Sequence, residues 1–260
     1  MDLSTLLTVT AATVLTAVVV LWLVSLAVRD ASVADVAWGP LFVVVASLCL
    51  VLGAGWAGRR ILVFVLVTAW GLRLGVHIGL RNRGRGEDPR YARWREEHGR
   101  AWPWVSLAKV FLLQGALLWV ISLPAQVAAA MPGPGRLTLL DAVGCAVWLV
   151  GFTTEVVADA QLRRFLRRRE AADAFLTSGL WRYSRHPNYF GEAVLWWGIG
   201  LTALSVPGGW TTLVGPLCIT LLLRFVSGVP MTEERMEGRP GWDAYAARTP
   251  AFVPLPRPRR

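Results

Sequence analysis

Charge is scarce in this chain. Asp, Glu, Lys and Arg make up 17% of its 260 residues, where soluble domains carry roughly a quarter. With 55% hydrophobic residues and a mean hydropathy of +0.48, that scarcity excludes an ordinary soluble domain. The phosphate-binding loops are missing too. No GxGxxG follows a strand pattern and no GxxxxGKS/T occurs, so neither a Rossmann nor a P-loop nucleotide site is available. Any nucleotide would have to be held among helices. HExxH and GxSxG are absent, which removes zincin and α/β-hydrolase chemistry. Cys49, Cys145 and Cys218 each sit inside an apolar run without a CxxC, and they read as small buried hydrophobes. The three histidines are scattered, so no metal site is expected.

What the chain has instead is apolar length. Seven runs, 4–28, 36–54, 60–80, 105–128, 138–159, 189–206 and 209–227, reach or approach the ~17–25 residues that cross about 30 Å of hydrocarbon. The expected fold class is all-α: a polytopic membrane bundle of about seven transmembrane helices, a single integral membrane domain over 1–260. The first run opens on Asp2 with no basic residue and is too long for a signal-peptide core, so it is expected to persist as a transmembrane helix.

The net charge of +10 is distributed by topology. Of the 27 lysines and arginines, 22 lie at Arg29, within 81–109, within 160–188 or after 227. The positive-inside rule then puts the N-terminus outside and the C-terminus in the cytoplasm, here of a bacterial inner membrane. Topology accounts for the charge, so no nucleic acid is expected as a partner. The alternate loops, 53–58 and 131–135, are short and built of Gly, Pro and Ala. Chemistry is therefore expected on the cytoplasmic side, where the long polar loops lie. In one of them Asp88-Pro89 predicts a helix start, with Asp as N-cap and a short helix over 90–98. That helix, together with 160–188, is expected to cover the cytosolic mouth. The basic C-terminal tail is expected to fray against lipid.

Two groups of polar residues stand out. The stretch 179–192, GLWRYSRHPNYFGE, brings Arg182, Arg185, His186, Asn188, Tyr189 and Glu192 to the start of an apolar run. Upstream, Glu155, Asp159, Arg163 and Arg167 recur every four residues and so share one helix face. An i,i+4 ladder explains the arginines, but Glu155 stands at membrane depth, where a carboxylate is expensive. The second group lies inside the spans: Asp35, Arg73, His77, Gln114 and Arg224. Together they predict the lining of a polar cavity. Arg73 needs an anion nearby, with Asp35 and Glu155 as candidates.

The run 151–192, ending in SRHPNYFGE, resembles the steroid 5α-reductase superfamily, and more closely a bacterial branch of it catalogued as a domain of unknown function. The resemblance extends to DVAWG at 35–39, GEDPRYARWR at 86–95, FLLQG at 111–115, ADAQL at 158–162 and the tail from VSGVPMTEER to FVPLP. The most specific motifs lie in 179–260. It implies a seven-helix enzyme that uses NADPH to reduce a carbon–carbon double bond conjugated to a carbonyl in a lipid. An NxxGE motif, here Asn188 to Glu192, would hold the cofactor. So would an Asn/Asp pair four residues apart, here Glu155 and Asp159, with Glu in place of Asn. The family's substrate-polarising glutamate and tyrosine have no direct counterparts. The second helix offers Asp35, and the third offers His77 with no tyrosine over 74–81.

The expected assignment follows. Asp35, His77 and Arg73 are the catalytic candidates, and Trp38 and Gln114 the substrate wall. Glu155, Asp159, Arg163, Arg167, Arg182, Arg185, His186, Asn188, Tyr189 and Glu192 are the NADPH-binding set. The substrate is a lipid-like small molecule reached from the membrane. A competing resemblance is to membrane methyltransferases of the isoprenylcysteine carboxyl type, which bind S-adenosylmethionine. They share RHPxYxG and a later pair of glutamates, here Glu233 and Glu234. The many arginines favour a cofactor with several phosphates. A non-enzymatic lipid-binding protein is the third reading; it would have no polar cavity.

Overall fold

The computed structural model describes residues 1–168 and 174–256. Arg169, part of the basic cluster, and the last four residues of the tail lie outside the described residues. Helices account for all regular structure among the described residues. A bilayer offers backbone groups no water, so each spanning segment must satisfy its own. Six helical stretches are long and apolar enough to cross a membrane: Leu3–Val28, Val33–Leu52, Ala57–Asn82, Pro89–Ile121, Leu139–Arg168 and Gly209–Glu233. The remaining expected run, 189–206, forms a helix of 17 residues, Pro187–Ala203. At about 26 Å it falls short of the hydrocarbon thickness. The chain is a multi-pass membrane protein.

Two compact units divide the chain, Met1–Asp141 with Thr202–Gly215 and Ala142–Leu201 with Pro216–Arg260. In the first, α1 (Leu3–Val28) starts at Asp2, whose side chain caps Thr5 N–H at 2.8 Å. Helices α2 (Val33–Leu52) and α3 (Ala57–Asn82) pack backbone to backbone. A Cβ on Gly39 would collide with the Gly71 carbonyl, and one on Gly75 would lie 2.8 Å from the Pro40 ring. Small residues permit this approach, which lipid-embedded helices depend on for packing. Helix α4 (Pro89–His98) begins as the sequence predicts, with Asp88 accepting from Arg90 N–H at 2.9 Å and Pro in the first turn. Gly99, at φ 47°, ends it. After a single 3-10 turn, α5 (Trp102–Ser106), a π-helical turn over Leu107–Leu112 and α6 (Leu113–Ile121) continue the span, and α7 (Leu123–Ala130) follows.

Buried polar groups tie this unit together. Arg59 and Asp141 are 0% and 1% exposed and form a two-pronged ion pair at 2.9 and 2.8 Å. Thr138 adds its N–H and hydroxyl to the same carboxylate. Thr10 of α1 donates to Gln126 of α7 at 2.6 Å. In hydrocarbon such groups must find each other, because nothing else there can hydrogen-bond them.

In the second unit, α8 (Leu139–Arg168) and α9 (Pro187–Ala203) run along a glycine seam. A Cβ on Gly191 would sit 2.6 Å from Glu155 N and 2.6 Å from Gly151 O. One on Gly198 would sit 2.5 Å from Trp148 N. Helix α10 (Val214–Leu221) leads through a π-helical turn to α11 (Val229–Glu233), and α12 (Trp242–Ala246) follows. The C-terminal segment folds onto the residues before α9. Arg185 N–H donates to Pro250 O, Leu255 N–H donates to Tyr183 O, and Phe252 packs on Phe190.

Candidate active site

The second unit carries the NxxGE residues. The glycine seam lets α9 approach α8 so closely that the Glu155 Cβ would stand 3.0 Å from a Cβ on Gly191. Asn188 and Glu192, one turn apart on α9, flank that contact in sequence. Asn188 Nδ2 donates to Asp159 Oδ1 at 3.1 Å. Glu155, Asp159 and Glu192 are 2%, 5% and 9% exposed, so three carboxylates are withdrawn from water on two adjoining helices. Asn188 Oδ1 is buried and accepts no hydrogen bond. The orientation of its amide is not arbitrary: reversed, its oxygen would face the Asp159 carboxylate.

Further along α8, Arg163 and Arg167 are exposed, as is Arg182 ahead of α9. Arg185 and His186 are used differently from expectation. Arg185 makes a forked pair with Glu233, Nε to Oε1 at 2.7 Å and Nη2 to Oε2 at 3.0 Å. Its Nη1 donates to the Ala246 and Thr249 carbonyls, each at 2.7 Å. Four of the five donors of a guanidinium are thus committed to protein, which corrects its assignment as a phosphate-binding cation. His186, 3% exposed, places Nε2 2.9 Å from Glu233 Oε1 and stacks on Tyr189 with ring centroids 5.4 Å apart. Burial pushes its imidazole below the usual histidine range. The bond to Glu233 opposes that shift, and the Arg185 and Arg224 charges add to it. Neutral, His186 donates from Nε2 to the carboxylate. Tyr189 OH lies 3.1 Å from Thr232 Oγ1. The sequence pointed to Glu233 only as one of a glutamate pair. Its role as the common partner of Arg185 and His186 emerges from the fold.

The first unit gathers a different set. Asp35 on α2 accepts from Tyr91 OH at 2.7 Å and from Arg90 Nη2 at 2.8 Å. Asp88 takes the Nε of the same arginine at 2.9 Å. Gln114 stands 3.5 Å from Asp35 and 3.4 Å from Tyr91 OH. Sequence reasoning found Asp35 and Gln114 but missed Arg90 and Tyr91. The DPRY string places both in the first turn of α4, and a tyrosine following a helix cap was the available signal. Arg90 is a cation on Asp35 that sequence reasoning did not name. Arg73 and His77 are half-buried on α3, about half a turn round that helix from the Gly71–Gly75 seam with α2. Trp38 meets Phe42 edge to face, and Phe42 meets Trp70. Trp38 and Gln114 do line one cavity, with Phe111 and Leu118, but it holds only about 10 Å³. That is the lower limit for a single water; no lipid enters it in this conformation.

Comparison with known proteins gives the chain a family. Residues 21–249 match the family model described as "Protein of unknown function (DUF1295)". Over 76 residues the chain is 34% identical to 3-oxo-5-alpha-steroid 4-dehydrogenase 1 of Bos taurus, covering 29% of each protein. It is 37% identical over 65 residues to the protein of the same name from Mus musculus, covering 25% of this chain and 26% of that one. An uncharacterized protein of Schizosaccharomyces pombe is 26% identical over 202 residues, 68% of this chain and 58% of its own length. The chain therefore spans less than two thirds of each of these relatives. No solved structure matches it.

Proposed function

The chain belongs to the DUF1295 family, and on that premise we propose that it is a membrane-embedded, NADPH-dependent reductase. Its substrate would be a steroid-like or isoprenoid lipid carrying a carbon–carbon double bond conjugated to a carbonyl. The similarity to proteins named as steroid dehydrogenases supports the oxidoreductase class. The observation that carries the cofactor assignment is the buried Asn188 Oδ1, an acceptor without a hydrogen bond at the edge of a carboxylate cluster. A buried acceptor left unmade costs about 1–3 kcal/mol, so a ligand donor there is favoured.

The residues fit NADPH in kind. Asn188, Glu155, Asp159 and Glu192 are acceptors suited to a carboxamide N–H and ribose hydroxyls. Arg163, Arg167 and Arg182, exposed at the polar end of this unit, are suited to phosphates. When bound, the cofactor supplies a hydride. The chain's own residues must supply the rest: a donor to the developing enolate and a proton. Within the first unit, the Asp35–Tyr91–Arg90 set, in which a phenol and a guanidinium converge on one carboxylate, is suited in kind to that task. Donors fixed before reaction stabilise a developing oxyanion without reorganisation. Arg73 and His77 stay assigned as auxiliary cation and donor. The basic loops belong, in this reading, to the cytoplasmic face of a bacterial inner membrane, with the N-terminus outside.

The test is a titration of detergent-purified protein with NADPH and NADH, followed by tryptophan fluorescence. NADPH should bind more tightly. Equal affinity for the two removes the arginines' 2′-phosphate role, and uptake of S-adenosylmethionine in place of both overturns the reductase reading.

A further inference from the structure

The segment after α10 has no part in the assignments above, yet it makes two separate holds on the residues that carry Asp159 and Asn188. The first hold is at Glu233. Its carboxylate binds Arg185 through two bonds and His186 through one, at 2.7, 3.0 and 2.9 Å. Arg185 then ties the Ala246 and Thr249 carbonyls. Ser184 donates to Phe252 O at 2.7 Å and accepts from His186 N–H at 3.1 Å. Pro187 comes next, its φ locked by its ring, and Asn188 follows. The second hold is at Tyr245, which is 4% exposed. Its phenol donates to Trp181 O at 2.6 Å, and the Trp181 indole donates to Ala158 O at 3.2 Å. Asp159 is the next residue. Phe175 packs against both Trp242 and Tyr245, with centroids 5.5 Å away in each case.

The location of these holds has a physical reason. The glycine seam fixes α9 at Gly191 and beyond, but Asn188 lies in the first turn, where N–H groups have no partner within the helix and ends fray. Its bond to Asp159 is 3.1 Å long, near the outer part of the strong range, so a small displacement breaks it. A first-turn side chain can serve as a grip only if something outside the helix fixes that turn.

We propose that Glu233 and Tyr245 are positioning residues for the Asp159–Asn188 grip, Glu233 acting through Arg185 and His186 and Tyr245 through Trp181. This rests on the reading of that pair as part of the NADPH site. The C-terminal segment is then a brace that sets cofactor affinity without a cofactor contact assigned to it.

The test uses the full chain in detergent with Glu233→Gln, Glu233→Asp and Tyr245→Phe. NADPH titration should show Glu233→Gln weakened about tenfold and Tyr245→Phe by a smaller factor, with Glu233→Asp recovering part of the loss. In an Asn188→Ala background, Glu233→Gln should have almost no further effect, because both act at one point. Full additivity of the two losses overturns the proposal. A measurement independent of nucleotide accompanies it: hydrogen–deuterium exchange over 186–192. Faster exchange there in Glu233→Gln, with α1–α3 unchanged, supports the brace; unchanged exchange overturns it. If wild-type protein takes up no NADPH while exchange still rises, the cofactor reading fails and the brace stands. Tyr245→Phe keeps its ring packing, so it reads the second hold even if the Glu233 variants fold poorly.

Discussion

Gly191→Ala sets two opposed effects against each other at the centre of the candidate site. Within a helix, replacing Gly by Ala gains about 1 kcal/mol of intrinsic propensity. Against that, the new Cβ would lie 2.6 Å from both Glu155 N and Gly151 O and 3.0 Å from Glu155 Cβ. Ordinary contact begins at 3.4 Å, so α8 and α9 must separate by roughly 0.8 Å, the approximate shortfall in a packed core that resists it. Two of the obstructing atoms are backbone, and no flexible side-chain end can yield. Overpacking of this kind costs typically about 1–3 kcal/mol, so the steric term wins and the melting temperature falls by a few degrees. The same separation moves Glu155 away from Asn188's helix, and misplacement on this scale weakens a positioned site about 10–100-fold. Gly198→Ala is the control. Its Cβ would stand 2.5 Å from Trp148 N, an equal clash two turns from the carboxylates. It should lower the melting temperature as much while leaving NADPH affinity close to wild type. The assays are thermal unfolding in detergent and NADPH titration. A Gly191→Ala protein that melts higher and binds NADPH normally would refute the seam as the determinant of this site.

Other outcomes follow from the same contacts. Asn188→Ala and Glu192→Ala should abolish NADPH-dependent reduction while the protein still folds; if Asn188 serves only the helix start, its loss costs about 1 kcal/mol of stability and turnover persists. Tyr91→Phe leaves Asp35 with Arg90 but removes the phenol donor, so turnover should drop at least about tenfold with NADPH affinity unchanged, as steady-state kinetics and titration would register. Arg59→Met alone strands the buried Asp141 carboxylate and should cost about 3–5 kcal/mol, whereas Arg59→Met with Asp141→Leu should recover most of it, measured by thermal unfolding of the three proteins. His186 is held below its ordinary value of 6.5, so the unfolded chain takes up its proton first. Stability is complete above that value and falls as pH drops through it, a dependence that should flatten in His186→Gln; equal slopes in the two proteins would show that another group titrates.

The sequence by itself determined what repeats along one dimension. Apolar run lengths specified an all-helical membrane chain, because hydrocarbon demands about 20 residues per crossing. Asp88-Pro89 announced the start of α4 to within one residue, since capping is a local matter of one side chain and one turn. The four-residue spacing of Glu155, Asp159, Arg163 and Arg167 placed them on α8, where periodicity alone defines a face. Even there a bound was missed: the run 189–206 yields a helix of only 17 residues, because the chain leaves the helix before Pro207 and the two glycines that follow it.

Tertiary structure decided everything that depends on which segment meets which. Asp35 and its partners Arg90 and Tyr91 are 55 and 56 positions apart, and Arg185 and Glu233 are 48 apart. Nothing in local spacing encodes such pairings. Composition offered a phosphate for Arg185 on charge alone. Folding gives it the Glu233 carboxylate, because a half-buried ion takes the counter-ion that packing delivers, and that depends on where glycines let helices touch. Gly191 reads in the sequence as part of a motif. In the fold it is the point where α8 and α9 meet, bringing Glu155 and Asn188 onto adjoining helices, a distance set by the missing side chain rather than by any residue's chemistry.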